Sequence, residues 1–426
     1  MKKLLLGTTT LIGAASLLAG AAFADSPKVT VGGYANFEAG YTNDNLDTHT
    51  TVHPDGANQR PQAFRNDTQI NFKIDGKSDS GLGYGGEVDL LADTSTDVQR
   101  RGFNASKTFI YTDGDWGRFE LGTNVGADSA LAVNAGTIAR ATGGINGDWS
   151  YFANAANQYL AAAELPLQYG VTGVNSHVGY VTAGGAAASS EGNQLGDHQE
   201  ENLSKVTYYT PRFAGFQLGV SYLPDQTNTG QGSATPAVPN PFGPNRTTGN
   251  DGLSANIFTG GVNYDNKFGD VGTTLAVTGE WGHAQDSTYE NLAAWEAGGK
   301  LAYMGFSLAG SYGSWGSSNQ LKADHANNSH YWDVGGAYEY GPFATSLTYL
   351  NSQFSCGTAI DAAGGANGDC AAAGTNKFQN TSLGVDYKLA PGLTPYAEVS
   401  YYNENAPGTA TDNKGYVGIV GTQLNF

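Results

Sequence analysis

Period-two alternation, renewed in segment after segment, is the feature that most limits what this chain can fold into. Between residues 64 and 75 the even positions carry Phe64, Ile70, Phe72 and Ile74, while the odd ones are Arg65, Asp67, Gln69, Asn71, Lys73 and Asp75. Successive strand side chains point to opposite faces, so the segment is a strand with one apolar and one polar side. The next repeats it, with Leu82, Tyr84, Val88 and Leu90 against Glu87 and Asp89. A soluble sandwich alternates as well. The connections separate the two architectures. Tight turns are expected at 76–81, 113–115, 211–215, 269–272, 304–305, 341–342 and 390–393, and longer polar loops lie between them. Short turns on one side and long loops on the other are the asymmetry of a transmembrane β-barrel.

Seven internal hairpins, a first strand near 29–42 and a last one near 413–426 give sixteen strands, an even number as antiparallel closure requires. The fold expected is all-β: a transmembrane antiparallel β-barrel of sixteen strands. The long segment 125–204 leaves an alternative of eighteen, with one more hairpin from 167–171 and 177–181. Structureless loops of that length are usually functional, which marks 125–204 as a candidate functional loop. Outward positions hold many aromatics close to strand ends, among them Tyr208, Tyr264, Trp281, Trp295, Tyr303, Trp332 and Tyr401, a pattern that suits the two lipid–water boundaries. Lumen-facing positions read as chiefly Gly, Ser, Thr, Asp and Glu, with Tyr34 and Tyr396 as exceptions.

The N-terminus places this barrel outside the cytoplasm. Lys2 and Lys3 precede an apolar run that closes on Ala22-Phe23-Ala24, the order of a cleaved signal peptide. Residues 1–24 are thus expected to be removed, leaving 25–426 as a single barrel domain. Losing two lysines takes the formal charge from −18 to −20. That acidity excludes nucleic acid as a natural partner and suits loosely held cations such as Ca2+ at acidic loops, though Asp93–Asp97 lacks the Gly and terminal Glu of a calcium loop and reads as solvated charge; no resident cofactor or metal is called for. Cys356 and Cys370, the only cysteines, read as a loop-closing disulfide in an oxidising compartment, with a two-thiol metal site the weaker alternative. No enzyme site stands out. Gly126-Ala127-Asp128-Ser129 lacks the spacing of a nucleophile elbow, and the seven histidines are scattered.

Two segments resemble a known family. Residues 205–225, KVTYYTPRFAGFQLGVSYLPD, are similar to the strand–turn–strand after the constriction loop of general diffusion porins of Gram-negative bacteria, particularly the alphaproteobacterial type. Residues 114–122, GDWGRFELG, resemble the turn and strand leading into that loop, and the terminal Phe426 resembles the signal read by barrel-assembly machinery. The resemblance implies a homotrimer in the lipid of the bacterial outer membrane. Each barrel would be narrowed by an inward-folded third loop, which makes 125–204 the candidate constriction loop, and passed by ions and small polar solutes.

Six of the eight arginines lie between residues 60 and 140. Alternation turns Arg65, Lys73 and Arg118 toward the lumen, with Glu120 beside Arg118, opposite the loop acids Asp128, Asp148 and Glu164. Such an arrangement makes a transverse field across the pore, or a set of salt bridges that hold wall and loop together. The acid excess predicts modest cation selectivity, limited by Arg65 and Arg118. The competing readings are a substrate-specific channel, for which an aromatic ladder along the lumen is expected, and a secreted surface β-protein without a pore.

Overall fold

The computed structural model describes residues 26–45, 61–92, 104–153, 162–169, 200, 203–225, 254–285, 287–318, 320–357, 374–405, 407 and 412–426. Sixteen strands among them close into one antiparallel barrel in which every strand pairs with its sequence neighbours and the last pairs with the first. They are β1 (Lys28–Asp44), β2 (Gln62–Lys77), β3 (Gly83–Leu91), β4 (Asn104–Gly114), β5 (Gly117–Thr123), β6 (Ser204–Tyr209), β7 (Phe216–Asp225) and β8 (Ser254–Phe268). The second half comprises β9 (Val271–Ala284), β10 (Leu292–Tyr303), β11 (Phe306–Gly316), β12 (Ser329–Tyr340), β13 (Phe343–Cys356), β14 (Gly374–Tyr387), β15 (Leu393–Asn405) and β16 (Asn413–Asn425). Closure satisfies every ladder and leaves no edge, which hydrocarbon would not tolerate. At the seam, Gly33 and Phe426 exchange backbone hydrogen bonds of 3.0 and 3.1 Å.

All seven tight turns sit where alternation breaks. In the β10–β11 hairpin, Met304 and Gly305 take φ of 47° and 85°, the doubly left-handed loop whose twist matches the strands it joins. The eighteen-strand alternative fails: residues 166–169 form a helical turn, α3 (Pro166–Tyr169), and the 177–181 portion lies outside the described residues.

The outer surface is apolar where a soluble protein would be polar. Along β15 the inward Glu398, Ser400 and Tyr402 are buried, while the outward Val399 is 53% exposed. Such a contiguous apolar belt calls for lipid. Aromatic pairs rim it at two heights. Phe119–Tyr208, Phe216–Tyr264 and Phe306–Tyr338 lie toward the tight turns, at ring separations of 4.7, 4.6 and 4.3 Å. Toward the long loops lie Trp295–Tyr312, Trp332–Tyr349 and Tyr401–Tyr416. Each such pair adds about 0.5–1.5 kcal/mol beyond its buried area.

After β5 the chain turns inward and travels around the lumen. A short helix α1 (Ala127–Leu131) lies on β7, β8 and β9, and a tight 3-10 turn (Ala135–Ile138) lies on β11 and β12. A second turn (Gly144–Asn146) packs on β13 and β14, and α2 (Trp149–Phe152) reaches β1 and β16. The main packing contacts of the loop's helical turns thus run from β6 round to β1, leaving the lumenal face of β2–β5 the least covered.

Candidate functional site

Acids of the barrel wall hold the loop by accepting hydrogen bonds from its backbone. Glu398 Oε2 on β15 accepts from the N–H groups of Thr142 and Gly144 at 3.2 and 3.3 Å. Asp333 on β12 accepts from Ala135 N at 2.6 Å, and Glu280 on β9 from Leu167 N at 2.8 Å and Gln168 N at 3.3 Å. Ser346 and Ser221 take Arg140 N and Ala127 N in the same way. An irregular loop exposes N–H donors that must be satisfied once water is displaced, and a carboxylate meets two at once. Glu398, Asp333 and Glu280 are thereby committed to fastening the loop.

Glycines let the loop approach. A Cβ built on Gly298 of β10 would lie 1.7 Å from the carbonyl oxygen of Val133, and one on Gly40 of β1 would meet the ring of Phe152 at 2.2 Å. Aromatic side chains finish the dock. Trp149 is buried and stacks on Phe378 and Tyr402, both ring separations being 5.8 Å, while Trp315 Nε1 donates to the carbonyl of Glu164 at 2.9 Å. Tyr34 and Tyr396 do face inward, donating to Asp67 and to Glu38, but lumen-facing aromatics are more numerous than these two. Phe378 and Tyr402 stand on the polar parity of their strands and lie under the loop, stacked on Trp149, so they are covered from a solute in the passage.

Arg65 and Asp148 meet at the neck. Arg65 NH1 contacts Asp148 at 3.2 Å and Glu38 at 3.3 Å, NH2 contacts Asp67 at 3.1 Å, and the guanidinium lies 3.8 Å from the centre of the Tyr151 ring. Glu38 is fully buried and also accepts from Tyr396 at 2.9 Å. Burial pushes Asp148 up to about 8, aided by its hydrogen bond to Glu38, and the Arg65 charge offsets this only in part.

The remaining candidates are dispersed. Arg118 lies at the tight-turn end of β5, where its Nε donates to Glu120 at 2.6 Å and its guanidinium covers the Tyr111 ring at 3.8 Å. Lys73, half exposed, pairs with Glu87 on β3 at 3.4 Å. Asp128 and Glu164 do not face these bases, contrary to expectation. Asp128 is fully buried in α1, turned toward β7–β9, and accepts from Gln168 Nε2 at 2.5 Å. Beside it, Glu200 is pushed well above the usual carboxylate range, by burial first and then by Asp128, with Lys205 working against the shift. Glu164 is 4% exposed on the wall side of the loop, near Glu296 and Tyr331. Alternation fixes the facing of strand residues but carries no information about a loop, which explains both errors.

The expected basic wall is a mixed one. Each of Arg65, Lys73 and Arg118 has a carboxylate at ion-pair distance, and Asp75 accepts from the Tyr111 hydroxyl between them. Arg60, Arg100 and Arg101 lie outside the described residues, as do Asp93–Asp97, Cys370 and the side chain of Cys356. Among the described residues, no group of His, Cys, Asp and Glu is arranged to hold a metal ion.

A closed sixteen-strand barrel with an apolar belt and an inward-pinned loop is the architecture of a membrane pore, and the comparisons agree. A family model described as "Gram-negative porin" matches residues 8–407. The chain belongs to the Gram-negative porins. As a porin it is an outer-membrane channel for passive diffusion, in a family of channel proteins without catalytic chemistry. An uncharacterized protein of Rickettsia bellii is 28% identical over 487 aligned positions, covering 100% of both chains, and one of Rickettsia typhi is 26% identical over 456, covering 94% and 93%. Among solved structures, an anion-selective porin from Comamonas acidovorans superposes with a TM-score of 0.54 at 14% identity, covering 94% of this porin and 100% of that chain. An in-vitro folded OmpT of Vibrio cholerae in its trimer form gives 0.54 at 11%, with the same coverage.

Proposed function

We propose that the pore is a modestly cation-selective diffusion channel for ions and small polar solutes, with its neck between the Arg65–Asp148 contact and the β2–β5 wall. The observation that carries the selectivity is that each lumenal base just described is already neutralised by a carboxylate, Arg65 by Glu38 and Asp67, while the chain retains its acid excess. Field lines in a narrow neck weigh nearby charges most, so paired arginines oppose cation entry weakly. The reading includes no catalysis and no cofactor, with loose Ca2+ binding confined to acidic loops. It also includes cleavage after Ala24, a Cys356–Cys370 disulfide, assembly of the β16 end with Phe426 by barrel-assembly machinery, and a homotrimer. The trimer rests on the family resemblance and on the trimer form of the Vibrio cholerae neighbour.

Reversal potentials under a salt gradient in planar bilayers test the selectivity. Cation preference is expected at low salt and should weaken as the Debye length falls from about 30 Å at 0.01 M to about 3 Å at 1 M. Anion preference at low salt would sink the proposal.

A further inference from the structure

Beneath α1, toward the tight-turn end, the wall of β4–β7 opens into a cavity of about 580 Å3, within the roughly 300–1,000 Å3 of small-ligand sites. Asp113 of β4 and Arg118 of β5 are cross-strand partners that both line it. They form no ion pair. Arg118 uses Nε for Glu120, and its two terminal amino groups have no partner among the described residues. Asp113 and the Tyr209 hydroxyl, also in the lining, have none either. Glu120 is occupied by Arg118 and by Asn124 Nδ2 at 2.7 Å. The cavity therefore presents a free two-pronged donor on one side, a free carboxylate on the other, and an apolar flank from Val125, Leu131 and Pro211.

We propose that this cavity is a docking subsite for small zwitterionic solutes, namely α-amino acids with apolar side chains; the proposal rests on the pore reading for solute access. The solute carboxylate lies on the Arg118 fork and the Tyr209 hydroxyl, a planar match that a guanidinium makes with two parallel hydrogen bonds. Its ammonium group faces Asp113, and its side chain covers the apolar flank. A simple anion would meet Asp113 and Glu120 as like charges, and a simple cation would meet Arg118. Only a dipole satisfies both ends.

The probe is L-leucine, titrated calorimetrically into the folded, detergent-solubilised protein, with isovalerate and isoamylamine as analogues that each lack one charge. Saturable leucine binding is expected, weakened roughly tenfold for either analogue and roughly tenfold by Arg118→Gln or Asp113→Asn, the loss of one charge-assisted contact. Conductance is measured on the same preparation. A conducting pore without saturable leucine binding overturns the subsite, as do analogues that bind as tightly as leucine or two folded variants with unchanged affinity. Leucine binding by a non-conducting protein upholds the subsite and overturns the pore reading. Should Arg118→Gln fail to fold, Asp113→Asn and the analogues on the unmodified chain decide the matter.

Discussion

Arg65 and Arg118 occupy equivalent positions in the alternation, both on the polar face of a lumenal strand, yet the barrel uses them differently. Arg65 is enclosed by three carboxylates and a tyrosine ring, one carboxylate and the ring belonging to the loop. Arg118 has one carboxylate from its own strand and keeps two prongs free. The first is a fastener between wall and loop, and the second is open to whatever passes. A lumenal charge gains its role from what is folded against it.

Replacing each by glutamine should separate them most sharply. Arg65→Gln leaves the buried Glu38 beside Asp67 and Asp148 without a cation, and removing one member of a buried pair costs about 3 kcal/mol. The loop end carrying α2 should detach, giving noisy single-channel currents, proteolysis within 125–204 and a lower temperature for loss of the folded band on unheated gels. Arg118→Gln, at a half-exposed pair, should move stability by less than about 1 kcal/mol. Equal destabilisation by the two would abolish the contrast between fastener and open charge.

A second comparison sets loop-facing against lipid-facing glycine. Gly298→Ala drives a methyl into the Val133 carbonyl and should cost about 1–3 kcal/mol of loop docking. Gly418→Ala on β16 meets nothing within 4 Å and should be neutral or slightly stabilising. Thermal shifts of the two purified variants, read side by side, check this. A Gly298→Ala protein as stable as its parent would mean that the loop does not touch β10.

Strands and turns were legible in the sequence because their causes are local. The parity of Arg65, Lys73 and Arg118 follows from residues beside them, and the tight turns from the glycines and prolines within them. The loop's path depends on partners up to 256 positions away, as with Thr142 and Glu398, and alternation is blind to them. Faint marks of the dock do exist. Phe378 and Tyr402 stand on the polar parity of their strands, and Gly40 and Gly298 on the same lumenal parity as the neighbouring acids Glu38 and Glu296. An aromatic or a glycine where a polar side chain is due signals something packed inside the barrel. Asp128 and Glu164 gave no such mark, since no strand fixes their direction.

The smallest expected effect is a titration at the neck. Asp148 stands at about 8 against an ordinary 3.8, so near neutral pH it is mostly protonated and shares its proton with Glu38. The docked loop binds that proton more tightly than a detached loop does. This contribution is therefore present in full below the ordinary carboxylate range and is lost progressively as pH rises toward about 8. Above that value a new negative charge appears next to Arg65, raising the cation preference while loosening α2. Reversal potentials from about pH 6.5 to about pH 9.5 should shift toward cations with a midpoint near 8. Asp148→Asn, which keeps a hydrogen-bonding group of the same shape, should remove the shift and leave conductance otherwise intact. Because Arg65 stays paired with Glu38 and Asp67 throughout, the change should be small beside that caused by Arg65→Gln. A midpoint that survives Asp148→Asn would assign the titration to another group and leave Asp148 ionised against Arg65 at neutral pH.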